Sequence, residues 1–181
     1  MRICVFCGAR SGRDDVYLSL ARNVARAIVA RGHSIVYGGG RIGMMGALAD
    51  AALEAGGEVV GVIPAAIAGA EIAHSGITEL HIVDSMHARK AMLSKLGDAF
   101  VALPGGIGTL DELFEALTWR QLGIHDKPVG ILNAAGYYDP LLATLDRMFE
   151  EGLLPPSTRR FITVDDDIEP LLEKMAHDAG G

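Results

Sequence analysis

A glycine-rich turn followed by a carboxylate is the part of this sequence best suited to chemistry. Residues 103–115 read LPGGIGTLDELFE and follow the mostly apolar run 98–103. This pattern predicts a strand that leads through the glycines into an amphipathic helix opened by Thr109, with Glu112 one turn inside. Glycines let the backbone approach a ligand closely, and a helix N-terminus offers unpaired N–H groups to an anion. We therefore expect a phosphate cradle beside an acid, which indicates chemistry on a phosphorylated small molecule.

The same two side chains also fit a purely structural pattern. Thr109 and Glu112 have the spacing of a capping box, in which threonine at the N-cap and glutamate at the third helical position satisfy the first helical N–H groups. The segment lacks the Gly-Lys-Ser/Thr sequence of a P-loop, so hydrolysis of nucleoside triphosphates is not indicated. The sequence pattern therefore allows either a catalytic role or a helix-capping role for Glu112.

A second glycine segment precedes the first in the chain. Residues 38–43 read GGGRIG and match the dinucleotide-binding fingerprint Gly-x-Gly-x-x-Gly after a predicted strand. The acidic residue expected at the end of the next strand is missing, because residues 59–64 read VVGVIP. The pattern therefore disfavours NAD(P). We expect Gly39, Gly40 and Gly43 to contact a phosphate or nucleotide, or to serve only a tight turn and close helix packing.

Two adjacent cations, Arg89 and Lys90, lie near the start of a predicted helix just beyond a strand end. Positive charges at a helix N-terminus oppose the helix dipole. Their position is explained if an anion or an electron-rich substrate lies opposite, with the Arg89 guanidinium supplying a planar fork of donors. We expect a functional role for Arg89, whereas a solvated surface position explains Lys90 about equally well.

Strand and helix patterns alternate along the chain, which predicts a single Rossmann-like α/β domain over residues 1–181. In this doubly wound fold a parallel sheet is flanked by helices, and ligands bind beyond the C-terminal strand ends. The predicted strands are 2–7, 34–37, 58–63, 80–83, 99–103, 128–132 and 161–164. The predicted helices are 15–31, 42–55, 86–96, 109–122, 140–151 and one capped by 165–167. Five loops should therefore open on one edge of the sheet, namely 8–13, 38–43, 64–71, 84–89 and 104–109.

Composition and spacing exclude several classes of partner and site. The net charge of −7 argues against general binding to nucleic acid or to a membrane surface. The N-terminal apolar stretch is too short for a signal peptide and no run is long enough to span a bilayer, so we expect a cytoplasmic protein. Cys4 and Cys7 lie within a predicted strand and should be buried on opposite faces, rather than forming a redox or metal pair. No spacing of a metal site or of a serine-hydrolase nucleophile is present.

Taken together, these segments resemble the Lonely Guy family, the cytokinin riboside 5′-monophosphate phosphoribohydrolases. The resemblance runs through most of the chain, and the combination of the Pro-Gly-Gly-x-Gly-Thr-x-x-Glu segment with the Arg-Lys pair is highly specific. The matching segments are 5–8 (VFCG), 37–46 (YGGGRIGMMG), 86–90 (MHARK), 104–112 (PGGIGTLDE) and 118–123 (TWRQLG).

The resemblance implies a Rossmann-like fold, usually a homodimer, that hydrolyses the N-glycosidic bond of a nucleoside 5′-monophosphate and releases the base and ribose 5-phosphate. It implies no cofactor or metal, and it places catalysis on Arg89 and Glu112. A carboxylate suits this reaction because it can stabilise an oxocarbenium-like transition state and orient water. The implied substrate contacts are Glu71, Lys90, Gly106, Ile107, Gly108, Thr109, Leu110, Asp111 and Thr118.

One departure from the family pattern lies in the first loop. Many relatives have a serine-rich turn there, whereas residues 9–12 read ARSG, so the role of this loop is open and Ser11 remains a candidate ligand contact. The substituent on N6 of the adenine is not fixed by the sequence.

Two alternatives remain beside this interpretation. One is a non-enzymatic carrier of a nucleotide or of the molybdenum cofactor with the same architecture. Another is a purine-monophosphate nucleosidase that serves nucleotide salvage rather than hormone production. Family members are also often labelled lysine decarboxylases, a chemistry that needs a lysine in a pyridoxal phosphate site, and no lysine of this sequence lies in a recognisable setting of that kind.

Overall fold

The computed structural model describes residues 1–69 and 73–178. This part of the chain contains seven strands, all paired in parallel in one sheet. The strands are β1 (Arg2–Phe6), β2 (Ser34–Tyr37), β3 (Val59–Pro64), β4 (Glu79–Val83), β5 (Ala99–Ala102), β6 (Val129–Leu132) and β7 (Ile162–Asp165). Their order across the sheet is β4-β3-β2-β1-β5-β6-β7.

Helices cover both faces of the sheet. They are α1 (Val16–Ala30), α2 (Gly43–Glu54), α3 (Ala65–Ala68), α4 (Met86–Leu96), α5 (Ile107–Gln121), α6 (Asp139–Glu150), α7 (Pro156–Arg159) and α8 (Ile168–Asp178). The core on one face is built with α1, α2 and α8, and the core on the other with α4, α5 and α6. The predicted doubly wound parallel fold is therefore confirmed. No helix in the described ranges combines the length and the apolarity needed to cross a membrane.

Strand β1 shows how the sequence divides its side chains between the two cores. Ile3 and Val5 pack into the core with α1 and α2, whereas Cys4 and Phe6 pack into the opposite core. This alternation follows from the two-residue period of a strand. Cys7, three residues after Cys4, lies on the opposite face, and both thiols are free and buried, as predicted. Burial raises the pKa of each thiol above its ordinary value, which makes both poor nucleophiles at neutral pH.

The strand order places a crevice next to β1. From β1 the chain builds outward to β4 on one side, then returns to β5 on the other side of β1. The connections that follow β1 and β5 therefore leave the same edge of the sheet in opposite directions. Such a switch point is where open α/β sheets bind ligands. The glycine turn after β5 lies at this position.

Several boundaries differ from those predicted, and two matter for the site. Helix α5 begins at Ile107 with Gly106 as its N-cap, rather than at Thr109. A short 3-10 turn, Ala134–Gly136, follows β6 and was not predicted. One helical turn, α3, follows β3 directly.

Candidate active site

A cleft of about 640 Å³ opens at the switch point between β1 and β5. Each of the five loops predicted to meet at this edge contributes lining residues, for example Gly8, Gly38, Ile67, Arg89 and Gly106. The predicted convergence of these loops is therefore confirmed for the described residues. Its cause is that all seven strands are parallel, so their C-terminal ends meet at one edge.

Glu112 lines this cleft and is its buried acid. Its side chain is 11 % exposed, and its Oε1 lies 3.7 Å from Nη1 of Arg89. Burial raises the pKa of Glu112 to about 7, although the positive charge of Arg89 lowers it in part. A carboxyl group with this pKa is divided between its two protonation states near neutral pH, which suits a group that handles charge or protons in a reaction.

The capping-box interpretation of Thr109 and Glu112 is wrong. Because α5 begins at Ile107, Glu112 is the sixth helical residue and cannot reach the N-cap, and no side chain caps this helix. The helix starts early because Ile107 and Gly108 already take up helical geometry, with the Leu110 N–H donating to the carbonyl of the extended N-cap residue Gly106. Thr109 is instead buried beneath the turn, where a Cβ on Gly105 would overlap its hydroxyl oxygen. The position of Glu112 is therefore not explained by helix capping.

Arg89 is held rigidly by backbone carbonyls. Its Nε donates to the Val62 carbonyl and its Nη2 to the Gly38 carbonyl, both at 3.1 Å. These acceptors lie in β3 and directly after β2, so two neighbouring strands fix the guanidinium plane. Nη1 remains directed toward Glu112. The side chain is nearly as buried as that of Glu112, which makes Arg89 a preorganised cation rather than a surface charge.

Lys90 points elsewhere. Its Nζ lies 3.1 Å from Asp111 and 2.5 Å from Glu115, and it is not among the residues that line the cleft. These two carboxylates raise the pKa of Lys90, and both also raise the pKa of Glu112, while Lys90 lowers it. In this structure Lys90 therefore neutralises the negative charge that flanks Glu112 on α5.

The glycines of the second segment pack against protein. Gly39 has a φ of +78°, and a Cβ there would come within 3.1–3.2 Å of Ile63 and Val62. Gly43 has a φ of +61°, and its Cβ would overlap the Ala9 carbonyl. Gly39, Gly40 and Gly43 do not line the cleft, whereas Gly38 does.

The remaining predicted contacts divide between the cleft and the outer surface. Gly106, Gly108 and Thr109 line the cleft. Glu71 lies outside the described residues. The predicted contacts that do not line the cleft in this structure are Ser11, Lys90, Ile107, Leu110, Asp111 and Thr118.

Sequence reasoning missed several residues of the cleft. Tyr17 and Tyr137 form an aromatic wall, with ring centroids 5.9 Å apart in an edge-to-face arrangement. Arg10 and Arg13 add positive charge from the loop after β1, and their place in loop 8–13 was a signal that could have identified them. Tyr137 lies after the 3-10 turn, far from any recognisable motif. Within the described ranges, no group of three His, Cys, Asp or Glu side chains is arranged to hold a metal ion.

Comparisons with known proteins point to one family. The family model described as "possible lysine decarboxylase" matches residues 45–175. A cytokinin riboside 5′-monophosphate phosphoribohydrolase from Rhodococcoides fascians is 52 % identical over 92 % of this chain and 85 % of its own length. An enzyme of the same name from Arabidopsis thaliana is 46 % identical over 96 % of this chain and 82 % of its own.

Similar solved structures share the fold at much lower identity. The molybdenum cofactor carrier protein of Chlamydomonas reinhardtii superposes with a TM-score of 0.74 at 20 % identity, covering 99 % of this chain and 98 % of its own. The molybdenum cofactor binding protein of Rippkaea orientalis gives 0.73 at 21 % identity, with coverages of 97 % and 95 %. At such identities the likeness concerns architecture alone. The family model and the much closer sequence relatives show that the chain belongs to the Lonely Guy family, that of the cytokinin riboside 5′-monophosphate phosphoribohydrolases.

Proposed function

We propose that this protein hydrolyses the N-glycosidic bond of N6-substituted adenosine 5′-monophosphates, releasing the adenine-type base and ribose 5-phosphate. The observation that carries the proposal is the buried Arg89–Glu112 pair, which lies in a cleft beside the glycine turn that begins α5. The names of relatives that are 46–52 % identical support the same reaction.

Glu112 acts at the anomeric carbon. Cleavage of a ribose–base bond develops positive charge on the sugar ring, and an ionised carboxylate in a site of low polarity stabilises that charge. The same carboxylate can orient the attacking water. A pKa of about 7 leaves a large ionised fraction at neutral pH, and the buried position keeps the charge poorly screened.

Arg89 holds the Glu112 carboxylate and one side of the substrate. Its hydrogen bonds to the Val62 and Gly38 carbonyls hold the guanidinium in place, so little reorganisation accompanies the reaction. Nη1 is the guanidinium nitrogen that approaches Glu112, and it favours the ionised form of that carboxylate. Glu112 therefore stays partly ionised despite its burial.

The turn at the start of α5 binds the 5′-phosphate. Gly106 and Gly108 line the cleft, and a Cβ on either would meet no atom within 4 Å. The backbone N–H groups at this helix start are therefore open to a phosphate. Arg10 and Arg13 line the same cleft and add the positive charge that an anionic substrate requires in a protein of net charge −7.

A decarboxylase that uses pyridoxal phosphate does not fit these residues. Such chemistry needs a lysine that can form a Schiff base in the active cleft. The four lysines of the chain all lie in described segments, and none lines the cleft. Lys90 pairs with Asp111 and Glu115, and Lys127 donates to the carbonyls of Ser94 and Gly97.

Release of free base from a substrate panel tests the proposal. The purified protein is incubated with AMP, N6-isopentenyl-AMP and the two matching nucleosides, and bases are separated by chromatography. We expect base from the monophosphates and at least about tenfold less from the nucleosides, because the phosphate cradle is unused. The preferred monophosphate distinguishes cytokinin production from purine salvage. No base from any monophosphate would contradict the proposal and favour a carrier role.

The proposal includes a homodimer. The outer stripe of α5 exposes Ile107, Phe114 and Leu122 together with Thr118, and Ile107 is 88 % exposed. Exposed apolar side chains in a row are typical of an interaction surface. Sedimentation equilibrium should give twice the chain mass, and Phe114→Glu should shift the protein toward monomer. A wild-type monomer at all concentrations would contradict this part of the proposal.

A further inference from the structure

Two consecutive tyrosines hold the turn between β5 and α5 through their hydroxyl groups. The Tyr137 hydroxyl donates to the Gly105 carbonyl at 2.7 Å, and the Tyr138 hydroxyl donates to the Leu103 carbonyl at 2.5 Å. Both bonds reach more than thirty positions along the chain, from the segment after β6 to the phosphate cradle. The catalytic arrangement described above uses neither tyrosine.

The segment after β6 is built to present these side chains. Asn133 accepts from the Tyr138 N–H through Oδ1 and donates to Asp139 through Nδ2, both at 2.7 Å. Ala135 has a φ of +53°, the one positive value among non-glycine residues in the described ranges. A non-glycine residue in this region is strained and persists only when its surroundings hold it there. The fold thus maintains a strained turn directly before Tyr137.

The two hydroxyls differ in which peptide they hold. The carbonyl of Leu103 belongs to the Leu103–Pro104 peptide, which has no N–H group. The carbonyl of Gly105 belongs to the Gly105–Gly106 peptide, whose N–H lies at the N-cap of α5. In a trans peptide the C=O and N–H point in opposite directions, so a bond that fixes one also fixes the other. Only the Tyr137 bond therefore orients a donor of the cradle.

The Gly105–Gly106 peptide needs such an anchor. Neither residue has a Cβ, so the backbone here has more freedom to rotate than at any other pair of residue types. Tyr137 is itself fixed by edge-to-face contacts with Tyr17 and Tyr138, whose ring centroids lie 5.9 and 5.0 Å away. Its own ring is 41 % exposed and lines the cleft.

We propose that Tyr137 is a positioning residue that sets affinity for the substrate phosphate by fixing the orientation of the Gly106 N–H. The inference rests on the proposed function only in naming a 5′-monophosphate as the ligand. Tyr138 makes the same type of bond to a peptide without a donor, so it stabilises the turn without tuning phosphate recognition.

Calorimetric titration with AMP and adenosine tests this role in three proteins that all carry Glu112→Gln to suppress turnover: that variant alone, and its combinations with Tyr137→Phe and with Tyr138→Phe. The phenylalanine at 137 keeps the aromatic wall and removes only the hydroxyl. We expect Tyr137→Phe to weaken AMP binding about tenfold and to change adenosine binding less than twofold. The reason is that the orientation of the Gly106 N–H, which serves only the phosphate, is no longer fixed. Tyr138→Phe should lower the melting temperature and leave the ratio of the two affinities unchanged.

The outcomes separate this inference from the proposed function. Equal losses for AMP and adenosine in Tyr137→Phe, or no loss for either, would overturn the positioning role. An equal change of the ratio in Tyr138→Phe would also overturn it. Because all three proteins carry Glu112→Gln, binding is measured with turnover suppressed, and these results stand whether or not the wild-type protein releases base.

Discussion

Two glycine-rich connections leave the same edge of the sheet, yet Gly106 and Gly108 in one serve the opposite purpose to Gly38 and Gly43 in the other. In the connection after β5, Gly106 and Gly108 face open space, and a Cβ on either would touch nothing within 4 Å. In the connection after β2, a Cβ on Gly38 would overlap Nη2 of Arg89, and one on Gly43 would overlap the Ala9 carbonyl. The first connection leaves room for a ligand, whereas the second leaves room for the protein's own atoms.

The comparison explains how the second connection still contributes to function. The missing side chain at Gly38 makes space for the Arg89 guanidinium, which the Gly38 carbonyl then binds. The glycine fingerprint there thus positions the buried Arg89 guanidinium rather than a phosphate. A glycine motif read from sequence shows that close approach is needed, but it does not identify the approaching group.

Gly38→Ala should give the largest effect among the tests of this comparison. The added methyl group displaces the guanidinium of Arg89 from Gly38 and Glu112, while the fold survives because a side-chain end can move. We expect kcat/KM for the preferred monophosphate to fall at least about a hundredfold, since misplaced catalytic groups lose most of their advantage. Steady-state kinetics measure the loss of kcat/KM, and a melting curve checks that the fold survives. Activity within about threefold of wild type would refute the role assigned to Gly38.

Gly108→Ala tests the opposite connection and should be milder. The methyl group enters open space, so stability should hold or rise by about 0.5 kcal/mol, since alanine favours the helix. The same methyl group reduces how closely phosphate can approach the backbone. We expect KM for the monophosphate to rise about tenfold with kcat changed less. An unchanged KM would show that Gly108 does not face the phosphate.

Lys90→Met should give the smallest effect, confined to the pH profile. Lys90 lowers the pKa of Glu112, while Asp111 and Glu115 raise it, so removing the ammonium group raises that pKa further. If ionised Glu112 is the active form, kcat/KM rises with pH through about 7 in the wild type. In the variant, the rise of kcat/KM with pH should be shifted to higher pH by about 0.5 to 1 unit. Lys95→Met, on the same helix, is the matched control. A shift to lower pH would contradict this account.

The sequence was sufficient to predict the architecture and to bring Arg89 and Glu112 to attention as a pair. Strand and helix periods predicted the parallel sheet, and the glycine turn and Arg-Lys pair pointed to Glu112 and Arg89. The start of α5 could not be predicted, because Thr109 looks like a cap although Ile107 and Gly108 already have helical geometry. Tyr137 was missed because its bond to Gly105 joins segments 32 residues apart, which no local pattern encodes.

Lys90 illustrates a different limit of prediction. Its neighbour Arg89 faces the cleft, and the family resemblance implied that Lys90 also contacts the substrate. Consecutive helical residues point in directions about 100° apart, so Lys90 faces Asp111 and Glu115 on α5 instead. Which side chains on α5 would meet it depended on how α4 and α5 pack.

Turnover of the Glu112→Gln variant tests the central claim most directly. Glutamine keeps the shape of the side chain and removes its charge, and no capping interaction is lost because Glu112 lies well inside α5. With the preferred monophosphate we predict a fall in kcat of at least about a hundredfold, with KM within about threefold of wild type. A variant that releases free base at the wild-type rate would remove Glu112 from the mechanism and contradict the account.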